Sequence, residues 1–141
     1  MMPGLYSPRS VFAARCPSLT GVRIDNVHEV DPFTTLDGSE IREIAGRAVG
    51  TTLNQSLAEA TVPPGGATVE HFHRETEEIY FFTHGHGRMR LATDEREIRA
   101  GDAVVIAPGM RHKVWATGDE PLRFLCCCAP AYSHDDTVLT E

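Results

Sequence analysis

The stretch EHFHRETEEIYFFTHGHG, residues 70–87, decides how the chain is read. It holds four of the seven histidines and four glutamates. Such a density of donor groups is either a solvated charged loop or a metal site. His71 and His73 are two positions apart, and residues i and i+2 of a strand share a face. If TVEHFHR is extended, both imidazoles point one way and Phe72 points the other. Glu78 lies at the start of the apolar run IYFFT, and a turn between two strands brings its carboxylate back to the same spot. His112 follows the Pro-Gly turn in APGMRHKVW, at the head of another strand. Imidazole and carboxylate together suit a borderline divalent metal such as Fe, Mn, Ni, Co, Cu or Zn.

Around this stretch the chain alternates short apolar segments with turn signals. VRIDNV precedes DPFTTLDGSE, RAVGTTLNQSLAEATV is closed by PPGG, and RMRLAT by DERE. GDAVVIAPG, HKVWATGDEP and LRFLCCCAPAY follow. Short strands punctuated by Gly, Pro and Asp predict an all-β sandwich or barrel. EIREIAG has room for one or two helical turns, and no long amphipathic helix is evident. Residues 1–20, rich in Pro and Ser, read as an irregular arm, leaving residues 21–141 as one domain, as a length of 141 residues suggests.

Thirteen Lys and Arg against 20 Asp and Glu leave a net charge of −7. An acidic chain without a basic run is a poor nucleic-acid binder. No apolar stretch approaches the ~20 residues that span a bilayer. The N-terminal stretch is broken by Pro3, Pro8, Arg9 and Arg15 and lacks a signal peptide's apolar core. Of four cysteines, Cys126, Cys127 and Cys128 are consecutive and alternate between faces of a strand, which is no disulfide framework. A cytoplasmic location is expected.

These residues resemble the two motifs of the cupin superfamily, in the form of a small single-domain metal-binding cupin. The first, G(x)5HxH(x)3–4E(x)6G, is matched by Gly65, His71, His73, Glu78 and Gly85. The second, G(x)5PxG(x)2H(x)3N, is matched by Gly101, Gly109 and His112. Its proline position is Ala107, with Pro108 next to it, and its closing Asn is Ala116. The motifs fall within residues 65–116 and the resemblance extends over roughly residues 50–130. It implies a small antiparallel jelly-roll barrel in which His71, His73, Glu78 and His112 hold one divalent metal ion (Fe, Mn, Ni or Zn), leaving an open coordination position as a catalytic site needs.

Inside such a barrel, alternation turns Leu122, Phe124, Cys126 and Cys128 inward, and Leu125 and Cys127 outward. Cys126 then lines the metal pocket or serves as a small buried hydrophobe. Tyr80 and Phe82 share a face with Glu78 and, with Phe124, are expected to form an apolar pocket wall. His84 and His86 flank Gly85 in a hairpin turn and are read as exposed. His28 and His134 are read as surface residues, and Arg74, Glu75 and Glu77 as a solvated run. Arg88 and Arg90 alternate with Met89 and Leu91, whose face is the one expected inside. An inward arginine would instead clamp a carboxylate or phosphate.

Proteins of the resembling superfamily do many things. The site chemistry points first to a dioxygenase acting on an enolate, diketone or phenolic compound, with Glu78 a possible base. The alternatives are a non-redox isomerase, cyclase or lyase with the metal as Lewis acid, and a non-catalytic small-molecule binding module. Small cupins generally pair. A C2 homodimer is therefore expected, by sheet packing or exchange of the N-terminal segments VRIDNV and DGSEIREIAG.

Overall fold

The computed structural model describes residues 21–141, so the N-terminal arm expected at 1–20 lies outside the described residues. The strands are β1 (Phe33–Thr34), β2 (Glu40–Ala45), β3 (Ser56–Val62), β4 (His71–His73), β5 (Glu77–His84), β6 (His86–Leu91), β7 (Asp94–Arg99), β8 (Ala103–Ile106), β9 (His112–Ala116), β10 (Leu122–Ala129) and β11 (Thr137–Leu139). Two three-residue 3₁₀ turns, Val27–Glu29 and His134–Asp136, are the only helical pieces among the described residues. None is long and apolar enough to cross a membrane.

Two antiparallel sheets result. One has the order β1-β2-β3-β10-β5-β8 and the other β11-β4-β9-β6-β7. Consecutive strands repeatedly change sheet, which gives the jelly-roll winding. The alternation in the sequence explains the layering: along β5 and β10 every second side chain is buried. The inner faces meet in a core of Val62, Phe82, Met89, Ile98, Ile106, Val114, Leu122 and Phe124, among others. Burying each large side chain contributes about 1.5–3 kcal/mol.

The change of sheet from β5 to β6 turns on Gly85. Its φ is 87°, and a Cβ there would stand 2.5 Å from the Pro121 carbonyl oxygen. Only glycine accepts both conditions.

Three local expectations are corrected. VRIDNV forms no strand; Val22 and Ile24 are 89% and 85% exposed. Among the described residues the segment pairs with no strand that would bury its apolar side chains. EIREIAG forms strand β2 rather than helical turns, because pairing with β3 supplies hydrogen bonds that seven isolated residues of helix would not hold. DERE is the start of β7, and the turn is Ala92–Thr93.

The inward-arginine alternative also fails. Arg88 and Arg90 lie on the outer face of the second sheet, 4.7 and 5.2 Å from the centre of the Trp115 ring. There they pair with Glu95 and Glu70 at 2.8 Å, while Met89 takes the core side.

Candidate metal centre

β4 is short, yet it is clamped from both sides. β11 pairs Thr137 with His73 and Leu139 with His71, and on the other side His71 pairs with His112 of β9. The turn before His112 is seated on β4 directly: the Gly109 N–H donates to the His73 carbonyl at 2.7 Å, and the Met110 N–H to the Ala107 carbonyl at 3.1 Å. The residue that departs from the family motif thus closes the turn through its backbone, which an alanine does as well as a proline. Glu78 enters from the opposite sheet, level with Cys128 of β10.

The four side chains His71, His73, Glu78 and His112 converge. Each is 3% exposed or less, and one ligand atom from each lies within 4.8 Å of all the others. Every histidine has its Nδ1 engaged outside the cluster. His71 meets the Val69 carbonyl at 2.8 Å, His112 the Met110 carbonyl at 2.9 Å and His73 the Thr137 hydroxyl at 3.1 Å. The carbonyl partners require Nδ1–H on His71 and His112, leaving the Nε2 lone pairs to face inward. This arrangement fixes the tautomer and orients a metal-bound imidazole.

His73 Nε2 is 3.0 Å from Glu78 Oε2. His112 Nε2 stands 3.4 Å from the same oxygen, without hydrogen-bond alignment, and is a buried nitrogen with no partner. Burial pushes the Glu78 carboxyl up, but the adjacent His112 and His73 outweigh it and hold the group well below the usual carboxylate range. Burial, with His112 next in order, holds the His71 imidazole below its ordinary value. A buried carboxylate facing imidazole nitrogens, one of them orphaned, is a donor set that a divalent first-row cation satisfies. The residues fit the metal.

The remaining Glu78 oxygen accepts from the Cys128 thiol at 3.3 Å. Burial and then the Glu78 charge push that thiol up, so it stays a protonated donor. Asp37 approaches from before β2. Its Oδ1 accepts from the Ser39 N–H at 3.0 Å and hydroxyl at 2.6 Å, which leaves Oδ2 free, 4.0 Å from His71 Nε2.

Beside the cluster is a cavity of about 50 Å³. Register explains it. Glu43, Ala58, Cys126 and Tyr80 form one inward row across β2, β3, β10 and β5. Small side chains in the middle of the row leave a trough between larger ends. Tyr80, Phe124 and Cys126 line the cavity as anticipated, but Phe82 does not. Its row, Ile41–Ala60–Phe124–Phe82, lies one step further along the sheet. There it is fully buried behind Phe124, at a ring-centre distance of 5.1 Å. Among the lining residues, Asp37, Glu43, Cys128 and Tyr132 carried no site reading in the sequence. Asp37 sits in a Asp-Gly turn signal, and Glu43 in a segment without a clear period. His84 and His86 lie exposed at the hairpin, with His84 2.9 Å from Glu120, and His28 and His134 are exposed.

Fold and donor cluster together define a double-sheeted β protein with the grouping typical of a cupin metal site. The chain belongs to the cupin family: the Cupin domain model matches residues 58–128. It is 42% identical over 113 residues to an uncharacterized protein of Methanocaldococcus jannaschii, covering 80% of this chain and 90% of that one. Glucose-6-phosphate isomerase of Pyrococcus horikoshii is 36% identical over 81 residues, 52% of this chain and 43% of that protein. Among solved structures, Streptomyces Pac13, described as a nucleoside dehydratase, superposes with TM-score 0.70 at 16% identity, over 86% of this chain and 92% of that one. A predicted oxalate decarboxylase from Thermotoga maritima gives 0.68 at 23%, over 77% and 99%. At these identities the structural likeness shows the fold.

Proposed function

We propose that the chain is a metal-dependent enzyme that moves protons on a small oxygen-bearing organic molecule, in an isomerisation, cyclisation or elimination. The observation that carries this reading is Asp37, a carboxyl whose free Oδ2 lies 4.0 Å from His71 Nε2 in the wall of the cavity. Proton abstraction requires a base within reach of the substrate, and Asp37 supplies a carboxyl in addition to the one that the metal ligands use. The relative named as glucose-6-phosphate isomerase, 36% identical over 81 residues, supports the same reading. His71, His73 and His112 would hold the ion through Nε2, and Glu78 through Oε2. When bound, the ion supplies Lewis-acid polarisation of a carbonyl or hydroxyl oxygen. Ser39 orients Asp37 by engaging one oxygen, so that the other faces the substrate. Tyr80 and Phe124 wall the cavity with apolar surface and keep water from competing for that base.

Dioxygenase chemistry is the second reading. The apolar wall of Ile41, Ala60, Tyr80 and Phe124 supports it, because dioxygen partitions into apolar surroundings. Metal analysis of untagged protein comes first. Solvent-deuterium exchange into hydroxyketones and diketones, and oxygen uptake with the iron-loaded form, follow. Exchange without uptake is the expected result. Stoichiometric uptake without exchange would establish the oxygenase, and absence of any bound metal would overturn both readings.

We also propose a two-fold homodimer through the outer face of the six-stranded sheet. Ile79, Phe81 and Val105 are exposed there, and register places Leu125 and Cys127 beside them. Arg123, Glu59 and Glu77 project from the same face, so that a second copy offers opposite charges around an apolar centre.

A further inference from the structure

Among the described residues, the cavity wall contains Asp37, Glu43 and Glu78 but not one lysine or arginine. Proteins hold phosphates and carboxylates with guanidinium or ammonium groups, or with helix N-termini. The only helices among the described residues are three-residue turns. A divalent ion would meet Glu78 among its ligands and Asp37 at its margin, so the net positive field that an anion would meet in the cavity is reduced. Beyond the ion itself, an anionic substrate would meet no cationic side chain among the described lining residues.

Glu43 is the second observation. It is 8% exposed, it lines the cavity, and burial raises its carboxyl with only the charge of His134 opposing. It makes no hydrogen bond to the described residues. Its carboxyl, partly desolvated, is available to a ligand oxygen in the cavity. Its placement is built. The β2–β3 register slips between Glu43 and Ala45, and bulges of this kind re-aim side chains beside active sites. Gly46 then supplies the room: a Cβ there would lie 1.9 Å from Glu43 Oε1.

We propose that the cavity takes a hydroxy- or keto-compound that carries no anionic group, and that Glu43 is the specificity-determining residue that hydrogen-bonds its oxygen and repels anionic analogues. This rests on the metal-dependent reading above and adds to it the substrate class. A volume of about 50 Å³ limits the enclosed part to a few heavy atoms, since one water needs ~10–15 Å³ on the same measure.

The test is calorimetry with dihydroxyacetone and dihydroxyacetone phosphate, a pair that differs by phosphorylation of one hydroxyl and keeps the ketone and the other hydroxyl. It is run on wild-type protein loaded with Mn or Zn, on the metal-free protein, and on Glu43→Gln. The neutral compound is expected to bind metal-loaded wild type at least about tenfold more tightly than the phosphate. Glu43→Gln, isosteric and checked for folding by circular dichroism, is expected to narrow that ratio. A phosphate that binds equally or more tightly overturns the proposal, as does binding of neither compound. A ratio unchanged in a folded Glu43→Gln variant overturns the role of Glu43. Failure to take up metal sinks the metal-dependent reading instead, and the same ratio measured on metal-free protein then decides the preference.

Discussion

At the scale of single residues, the centre depends on groups one step behind the ligands as much as on the ligands. His112→Ala is expected to abolish stoichiometric metal uptake, read by elemental analysis of the purified protein. Thr137→Val removes the oxygen that faces His73 Nδ1 and is expected to weaken metal binding about tenfold with the fold intact, read by competition with a chromophoric chelator. Glu43 makes an opposite kind of prediction. Its folded-state pKa is raised, so the native protein binds more protons than the unfolded chain between the two values. The stability it costs is absent below the unfolded pKa of about 4.3 and is fully present at alkaline pH. Glu43→Gln is therefore expected to melt higher than wild type at pH 8 and alongside it near pH 4. A variant that melts lower at both would show that Glu43 is an ordinary structural residue.

At the scale of elements, the turn between β5 and β6 is the most exacting. Gly85→Ala must hold a positive φ while its Cβ meets backbone that cannot swing away. It is expected to cost about 2 kcal/mol or more in denaturant titration. The strands that carry the four clustered side chains were legible because two short signals coincide there: the two-residue period of HFH and the spacing of Gly85 and Gly109 around it. The cavity was not legible in the same way. Asp37 and Glu43 reach it only because β1 and β2 extend the six-stranded sheet beyond β3, a pairing with no local trace in LDGSEIREIAG. That segment reads as a turn followed by good helix formers, and its strand state is imposed by the neighbour it pairs with. Phe82 failed for a related reason. Alternation says which face a side chain takes but not how far along the barrel it lies, and the cavity is only about two rows deep.

At the scale of the whole molecule, the outer face of the six-stranded sheet is the surface to test. Ile79, Phe81 and Val105 are exposed together, and contiguous apolar patches on soluble domains mark contacts. Phe81→Glu combined with Val105→Glu is expected to convert a dimer to a monomer in light scattering, weakening association at least about 30-fold. Wild type that runs as a monomer at the same concentration would remove the dimer proposal.

His73 is steadied by a hydroxyl that lies 64 positions further along the chain, and its carbonyl holds the turn that delivers His112. The consequence lies in folding order. Three of the four donors lie within residues 71–78, but no local segment completes the centre, because His112 and the Thr137 hydroxyl come in only by distant loop closures. An unfolded chain offers an ion only the loosely held His71, His73 and Glu78 without His112, so the ion favours the finished structure. Saturating metal, at a hundred times its dissociation constant, should then add about 2.7 kcal/mol to the folded state.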